Sequence, residues 1–331
     1  MKHTTSLSAL ALLAAGTLAL SGCAASDPSA SGSDDMITIG ISQIVQHQAL
    51  DDAREGFKQA FADAGYAEGT DIEFDEQNAQ GEQATASTIA AKFAADKVDL
   101  VLAIATPTAQ AAVQTITDIP VLFTAVTEPE EAGLVASWEK PGSNVTGTSD
   151  LNPVKEQLEL IQEILPDAKS VGIIYSSGEV NSDVQVQLAK EAAKTLGLTI
   201  KEATVTNSSE VAQATVSLGD VDAIYIPTDN RVTEGLEAVI QYSESNQIPL
   251  FGAENGQVER GAIATYGISY TDLGYQTGQM AIRILEDGEN PADMPVETLD
   301  TIEFILNPAA AKRMGVTLSE DLLAKADRLI D

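Results

Sequence analysis

The chain has 331 residues, 50 of them acidic and 18 basic, for a formal net charge of −32 at pH 7. That excess of carboxylates argues against nucleic acid as a partner and against a charge-driven contact with anionic lipid. One cysteine and two histidines leave no material for disulfides, and because His3 lies in the first few residues, any Ser-His-Asp, Cys-His or multi-histidine metal site would rest on His47 alone.

In chain order, Met1-Lys2-His3 is followed by a run of Ala, Leu, Ser, Thr and Gly from Leu7 to Leu20, and the single cysteine arrives in L-S-G-C, residues 20–23. The run is shorter than the ~20 residues a spanning helix needs, and its basic start and apolar middle have the layout of a secretory signal. Its end resembles a bacterial lipobox, in which the cysteine sulfur is acylated and cleavage makes that residue the new N-terminus. The resemblance implies a signal peptide over 1–22 and a lipidated Cys23, with an extracytoplasmic protein held on the cell membrane; two acyl chains at ~0.8 kcal/mol per buried methylene anchor far better than one. The alternative is a buried free thiol after an ordinary signal. Residues 24–35 (AASDPSASGSDD) are too polar to pack and read as a flexible tether.

The remainder is long enough for two domains of ~150 residues. Short β-branched runs at 37–41, 71–75, 100–104, 121–124, 170–175, 199–204, 223–226 and 250–252 alternate with amphipathic Ala-rich stretches at 48–64, 82–96, 108–115, 153–165, 180–196, 208–219, 232–246 and 271–286. This alternation predicts an α/β fold of parallel sheets covered by helices. The Gly274-x-x-x-Gly278 spacing falls in a soluble amphipathic helix and reads as close helix packing, not membrane dimerisation. H-E-x-x-H, G-x-x-x-x-G-K-[ST] and G-x-G-x-x-G are all missing from the sequence, so no catalytic residue, metal or cofactor is expected.

The two halves echo each other. VDLVLAIAT (98–106) pairs with VDAIYIPT (221–228), and IPVLF (119–123) with IPLF (248–251), each after an opening strand, IGI (39–41) or VGII (171–174). Two echoes in one order predict two similar doubly wound lobes. The extra elements ATYGISY (264–270), a helix, and a strand over 301–306 predict that the chain crosses back to the first lobe and returns. Crossings near 148–151, 267–271 and 306–308 make a three-stranded hinge, with lobe 1 formed by 36–149 plus 271–305 and lobe 2 by 150–270 plus 306–331.

The stretches GISQIVQHQALDDAREGF, NAQGE, AIATPTAQAA, PVLFTAVTEPEEAGLV, NVTGTSD, YIPTDN and ATYGISYTDLGYQTGQMA cover nearly all of this region. In them the chain resembles the ABC-transporter substrate-binding lipoproteins of type I periplasmic-binding-protein fold, a group that includes binders of tryptophan and other aromatic amino acids. The resemblance implies a non-enzymatic receptor, monomeric, that closes its lobes on a small ligand and hands it to a membrane permease with its ATPase.

Ligands of open parallel sheets bind beyond the carboxyl ends of the strands, where loops meet helix N-termini. In the first lobe this rule collects Ser42, Gln43 and His47, then Asn78 and Gln80, then Thr106 and Thr108, then Thr124, Ala125 and Thr127. In the second it collects Ser176, Ser177 and Asn181, then Thr228, Asp229 and Asn230, then Glu254 and Asn255, with Ser149, Asp150, Tyr266 and Tyr270 at the hinge. Hydroxyls and helix N–H groups at Ala105-Thr106-Pro107-Thr108 and Thr124-Ala125 suit an α-carboxylate, and Asp229, Asp150 or Glu254 suits an α-ammonium. Arg231 is the one cation in these loops, which favours a monocarboxylate amino acid over a phosphate or dicarboxylate. Ser42, Thr106, Thr228 and Asp229 serve equally as helix caps, His47 as a surface or cap histidine, and the two tyrosines as hinge packing. A sensory or nucleoside- or sugar-binding lipoprotein on the same fold stays open, and so does an exported carboxylate-dependent hydrolase.

Overall fold

β1 (Ile37–Gln43) turns Ile37, Ile39 and Ile41 to one face, and on the other Gly40 lies so close to the Phe93 ring that a Cβ would stand 2.7 Å from it, so the strand is covered on both sides. The computed structural model describes residues 36–330; the signal-like segment, Cys23 and the tether lie outside them. After β1 come α1 (Gln48–Ala64), β2 (Ile72–Asn78), α2 (Gln83–Asp96), β3 (Leu100–Ile104), α3 (Thr106–Thr115), β4 (Val121–Val126) and β5 (Val145–Ser149). The second half contains α4 (Val154–Ile164), β6 (Ser170–Ser176), α5 (Val180–Leu196), β7 (Thr199–Val205), α6 (Val211–Ser217) and β8 (Ala223–Ile226). It continues with α7 (Asn230–Glu234), α8 (Leu236–Asn246), β9 (Leu250–Gly252), α9 (Asn255–Arg260) and β10 (Ala264–Gly267). The chain ends through α10 (Tyr270–Glu286), β11 (Glu297–Thr298), β12 (Glu303–Leu306), α11 (Pro308–Arg313), α12 (Glu320–Lys325) and β13 (Arg328–Leu329).

A six-stranded parallel sheet has the order β11-β5-β4-β3-β1-β2, and a four-stranded parallel sheet has the order β7-β6-β8-β9. β12 lies between β10, antiparallel to it, and β13, parallel to it. The Ile263 amide donates to Leu250 O at 2.7 Å, which ties this small sheet to the β9 edge. Buried apolar side chains form two clusters, one drawn from 39–145 and 268–296, the other from 154–264 and 304–322. The chain passes between them three times, and the third passage lies between Val296 and Phe304, before the expected 306–308. The cause is pairing: Phe304 stands opposite Tyr266 in β10, and their rings lie 4.8 Å apart. Residues 303–305, expected with the first lobe, therefore pair with β10 and β13 and pack into the second cluster.

Local chemistry sets the helix ends. α1 and α5 stop where Gly65 (φ 99°) and Gly197 (φ 70°) take up the left-handed conformation of a C-cap. The helix expected over 232–246 is broken at Gly235, where a Cβ would stand 2.9 Å from Val211 Cγ2. The stretch expected as one helix over 208–219 is a single 3₁₀ turn, Ser208–Glu210, followed by α6.

Candidate functional site

The carboxyl ends of β1, β3 and β4 form one wall. Between β3 and α3, Ala105 has φ 80° and ψ 153°, and at the end of β4 Ala125 has φ 55°, both rare for a side chain with a Cβ. The turn at Ala105 aims the start of α3 into the space beyond the sheet; Thr108 Oγ1 donates to Ile104 O (2.6 Å) and Ala105 O (2.8 Å), pinning it. Thr106 Oγ1 and Ser42 Oγ are buried and have no partner among the described residues. Gln43 is a loop clamp: its Nε2 donates to Val45 O and Asp51 Oδ1, and its Oε1 accepts from Arg54. Thr124 Oγ1 accepts from Thr148 at 3.0 Å, and Thr127 Oγ1 donates to Asp150 Oδ1 at 2.9 Å.

The second wall comes from β6, β8 and β9. Ser176 Oγ, Asn181 Oδ1, Thr228 Oγ1, Glu254 Oε2 and Asn255 Oδ1 are buried and unpartnered among the described residues. Asp229 is fully engaged: Oδ2 accepts from the Ser176 amide (2.5 Å) and Ser182 Oγ (2.6 Å), and Oδ1 caps α7 through the Val232 amide (2.8 Å). Asp150 is engaged too, by Thr127 and by the Tyr270 hydroxyl at 2.8 Å. Of the three carboxylates expected to meet an ammonium, Glu254 alone keeps an oxygen open, its Oε1 accepting from Gln257 and Thr233.

Three expected residues stand elsewhere. Asn78 is at the exposed end of β2, its Oδ1 taken by the Gln80 amide at 2.7 Å. Ser177 is exposed, and its neighbour Ser176 holds the buried place. Tyr266 stacks on Phe304 in the second cluster, while Tyr270 reaches Asp150. Glu179 was not foreseen: it is 4% exposed and its Oε2 accepts from Asn230 Nδ2 at 2.6 Å. It sits in a polar Gly178-Glu179-Val180-Asn181 stretch, which carries no sequence signal of burial.

The walls touch across the cleft. His47 Nε2 lies 3.3 Å from Asn230 Oδ1, Arg231 Nη2 donates to Gly81 O at 2.5 Å, and Gln48 Nε2 donates to Glu259 Oε2 at 2.7 Å. Beside these contacts a cavity of 280 Å³ separates Ile44, Val45 and Pro107 from Glu179, Asn230 and Arg231.

A family model described as ABC transporter substrate binding protein matches residues 38–330. The chain belongs to this family of substrate-binding proteins. A curated relative, the tyrosine-binding protein of Clostridioides difficile (strain R20291), is 44% identical over 318 residues, covering 93% of this chain and 92% of the relative. Among solved structures, an ABC domain in complex with L-Trp from Streptococcus pneumonia is 37% identical with a TM-score of 0.85, covering 89% of this chain and 100% of that one. The ligand-free, open structure of a Clostridium difficile substrate binding protein with adhesive properties is 45% identical, with 89% and 99% coverage, yet its TM-score is 0.68. The substrate-binding protein described here thus follows the L-Trp complex more closely than the open form, despite the lower identity. It is an extracytoplasmic component of an ABC transporter, taking a small-molecule ligand for a permease and its ATPase, and is not an enzyme.

The electrostatics of the binding protein's cleft are dominated by buried carboxyls. Burial and then the nearby Asp150 carboxylate push Glu254 up to about 8; burial and then Asp229 push Glu179 up to about 7. Burial raises Asp150 and Asp229 above the ordinary carboxylate range, and it pushes His47 down to about 4. Such a cleft favours a cationic group, which supplies the charge the carboxyls lack.

Between its ordinary 4.5 and about 8, Glu254 keeps in the native state a proton that the unfolded chain has released, so stability falls as pH rises; Glu179 adds to this up to about 7. His47 acts oppositely, costing stability as pH falls through 6.5 towards 4, so its share fades above 6.5 and the carboxyls dominate the upper part of the window to 8. Ligand-free protein is expected to lose about 1 kcal/mol per pH unit across that window, and Glu254→Gln to flatten the slope. Unfolding midpoints measured from pH 6.5 to 8 check this; a flat profile in the unsubstituted protein would contradict it.

Proposed function

We propose that the protein is a lipid-anchored receptor of an ABC importer, tethered through Cys23, that captures an aromatic amino acid, tyrosine or tryptophan, between two lobes and holds it by closure. The lobes we assign are 36–149 with 268–302, and 150–267 with 303–331, acting as a monomer. The observation carrying this reading is that buried polar atoms without partners among the described residues gather from both walls: Ser42 and Thr106 on one side, Ser176, Thr228 and Glu254 on the other. A ligand touching both walls gains contacts that only the closed state offers.

The α-carboxylate goes to the Thr106 hydroxyl and the N–H groups opening α3, where the helix dipole and the unpaired amides favour an anion. The α-ammonium goes to Glu254 Oε2, the open oxygen of a buried carboxyl. The ring goes to the cavity faced by Ile44, Val45 and Pro107. The relative that binds tyrosine and the neighbour solved with L-Trp support an aromatic side chain.

The test is thermal unfolding of residues 26–331 against amino acids, nucleosides and simple sugars. Tyrosine or tryptophan is expected to raise the midpoint, adding ~2.7 kcal/mol at a hundred times the dissociation constant. A shift with a nucleoside or sugar and none with any amino acid overturns the assignment.

A further inference from the structure

We propose that His47 Nδ1 accepts the polar hydrogen of the bound aromatic side chain, a phenol hydroxyl or an indole N–H, and thereby makes the cleft prefer donor-bearing rings to that of phenylalanine. This rests on the aromatic amino-acid reading above.

Glu179 Oε2 receives three N–H groups: Asn230 Nδ2 at 2.6 Å, Asn181 Nδ2 at 3.3 Å and the Asn230 amide at 3.4 Å. An oxygen so surrounded is an acceptor, which fixes the Asn230 amide group with its nitrogen toward Glu179 and its oxygen toward His47. At 3.3 Å from that oxygen, His47 Nε2 must be the nitrogen carrying hydrogen. The ring is 8% exposed, and burial keeps it neutral at ordinary pH. A neutral imidazole with its hydrogen on Nε2 presents a bare lone pair at Nδ1. That Nδ1 is buried and has no partner among the described residues.

A buried lone pair needs a donor, and the ligand offers two kinds. The ammonium is drawn to the Glu254 carboxyl oxygen, because a charge-assisted bond is about twice as strong as a neutral one. The neutral acceptor matches a neutral donor. Position agrees: His47 meets Asn230 where the two walls touch, and Asn230 in turn lines the 280 Å³ cavity opposite Ile44, Val45 and Pro107. A site built to hydrogen-bond a ligand hydroxyl or N–H discriminates against an analogue lacking it, since the acceptor is then left buried and unpaired.

The test is direct titration of L-tyrosine, L-tryptophan and L-phenylalanine into the unsubstituted protein, His47→Gln and His47→Asn. Glutamine places an N–H where Nε2 lies and keeps the Asn230 bond, but offers nothing at Nδ1; asparagine places an oxygen near Nδ1 and gives up the Asn230 bond. The unsubstituted protein is expected to bind phenylalanine roughly 10- to 100-fold more weakly than the better of the other two. His47→Gln is expected to erase that ratio by weakening the donor-bearing ligand alone, and His47→Asn to keep it while weakening all three. Equal affinities in the unsubstituted protein, or a ratio that survives in His47→Gln, overturn the assignment of Nδ1. No binding of any of the three overturns the aromatic reading itself, and this inference with it.

Discussion

Replacing Gly274 by leucine is expected to cost about 3 kcal/mol or more of folding stability. α1 and α10 meet backbone to backbone. A Cβ at Gly274 would stand 1.8 Å from Ala53 O, one at Gly56 would stand 2.0 Å from Thr271 O, and one at Gly278 would stand 2.6 Å from the Ala60 Cβ. No rotamer relieves a clash with a main-chain oxygen, so the helices must separate. Separation loosens Phe57 and Leu273, both fully buried at this seam. For a domain of this size the midpoint should fall by roughly 2–4 °C per kcal/mol, measured by thermal unfolding. A loss under about 1 kcal/mol would mean the seam can open cheaply, against ordinary packing behaviour.

Asp229→Ala is expected to cost about 2–4 kcal/mol, and to do so with or without ligand. The carboxylate joins three elements: it holds the Ser176 amide at the end of β6, the Ser182 hydroxyl in α5 and the Val232 amide that opens α7. Removing it strands the buried Ser176 amide and Ser182 hydroxyl and takes away the cap on the Val232 amide, itself worth about 1 kcal/mol. The decisive pairing of measurements is denaturant unfolding and ligand titration on the same variant. Near-normal stability with abolished binding would return Asp229 to the ligand's ammonium and remove its structural role.

The contrast between Asp229 and Glu254 marks where sequence reasoning stops. Both sit at strand ends before helices, both are acidic, and spacing treats them alike. Only the surrounding donors separate them, and those come from α5 and β6 in one case and from Thr233 and Gln257 in the other. Ser176 and Ser177 differ by one step in a chain whose side chains alternate, so a boundary error of one residue exchanges a buried hydroxyl for an exposed one. Strongly periodic segments fared better. α1 and α5 occupy the expected 48–64 and 180–196, because apolar spacing agrees with a terminal glycine able to turn left-handed. The 301–306 strand was legible as a strand, but its partner was not, since four apolar-rich residues fit the edge of either sheet.

The late arrival of α10 has a consequence for how the molecule is made. α1 ends at Ala64, whereas the helix that covers it begins at Tyr270, so the first core is assembled from opposite ends of the chain. Contacts so distant in sequence fold slowly, because a long loop must close before they reward it. A nascent chain that has emerged only as far as β10 would carry Gly56, Phe57 and Ala60 on an uncovered helical face. Until its last quarter has appeared the polypeptide has no finished half to fold, which keeps it threadable through a membrane and dependent on being shielded from its neighbours until then.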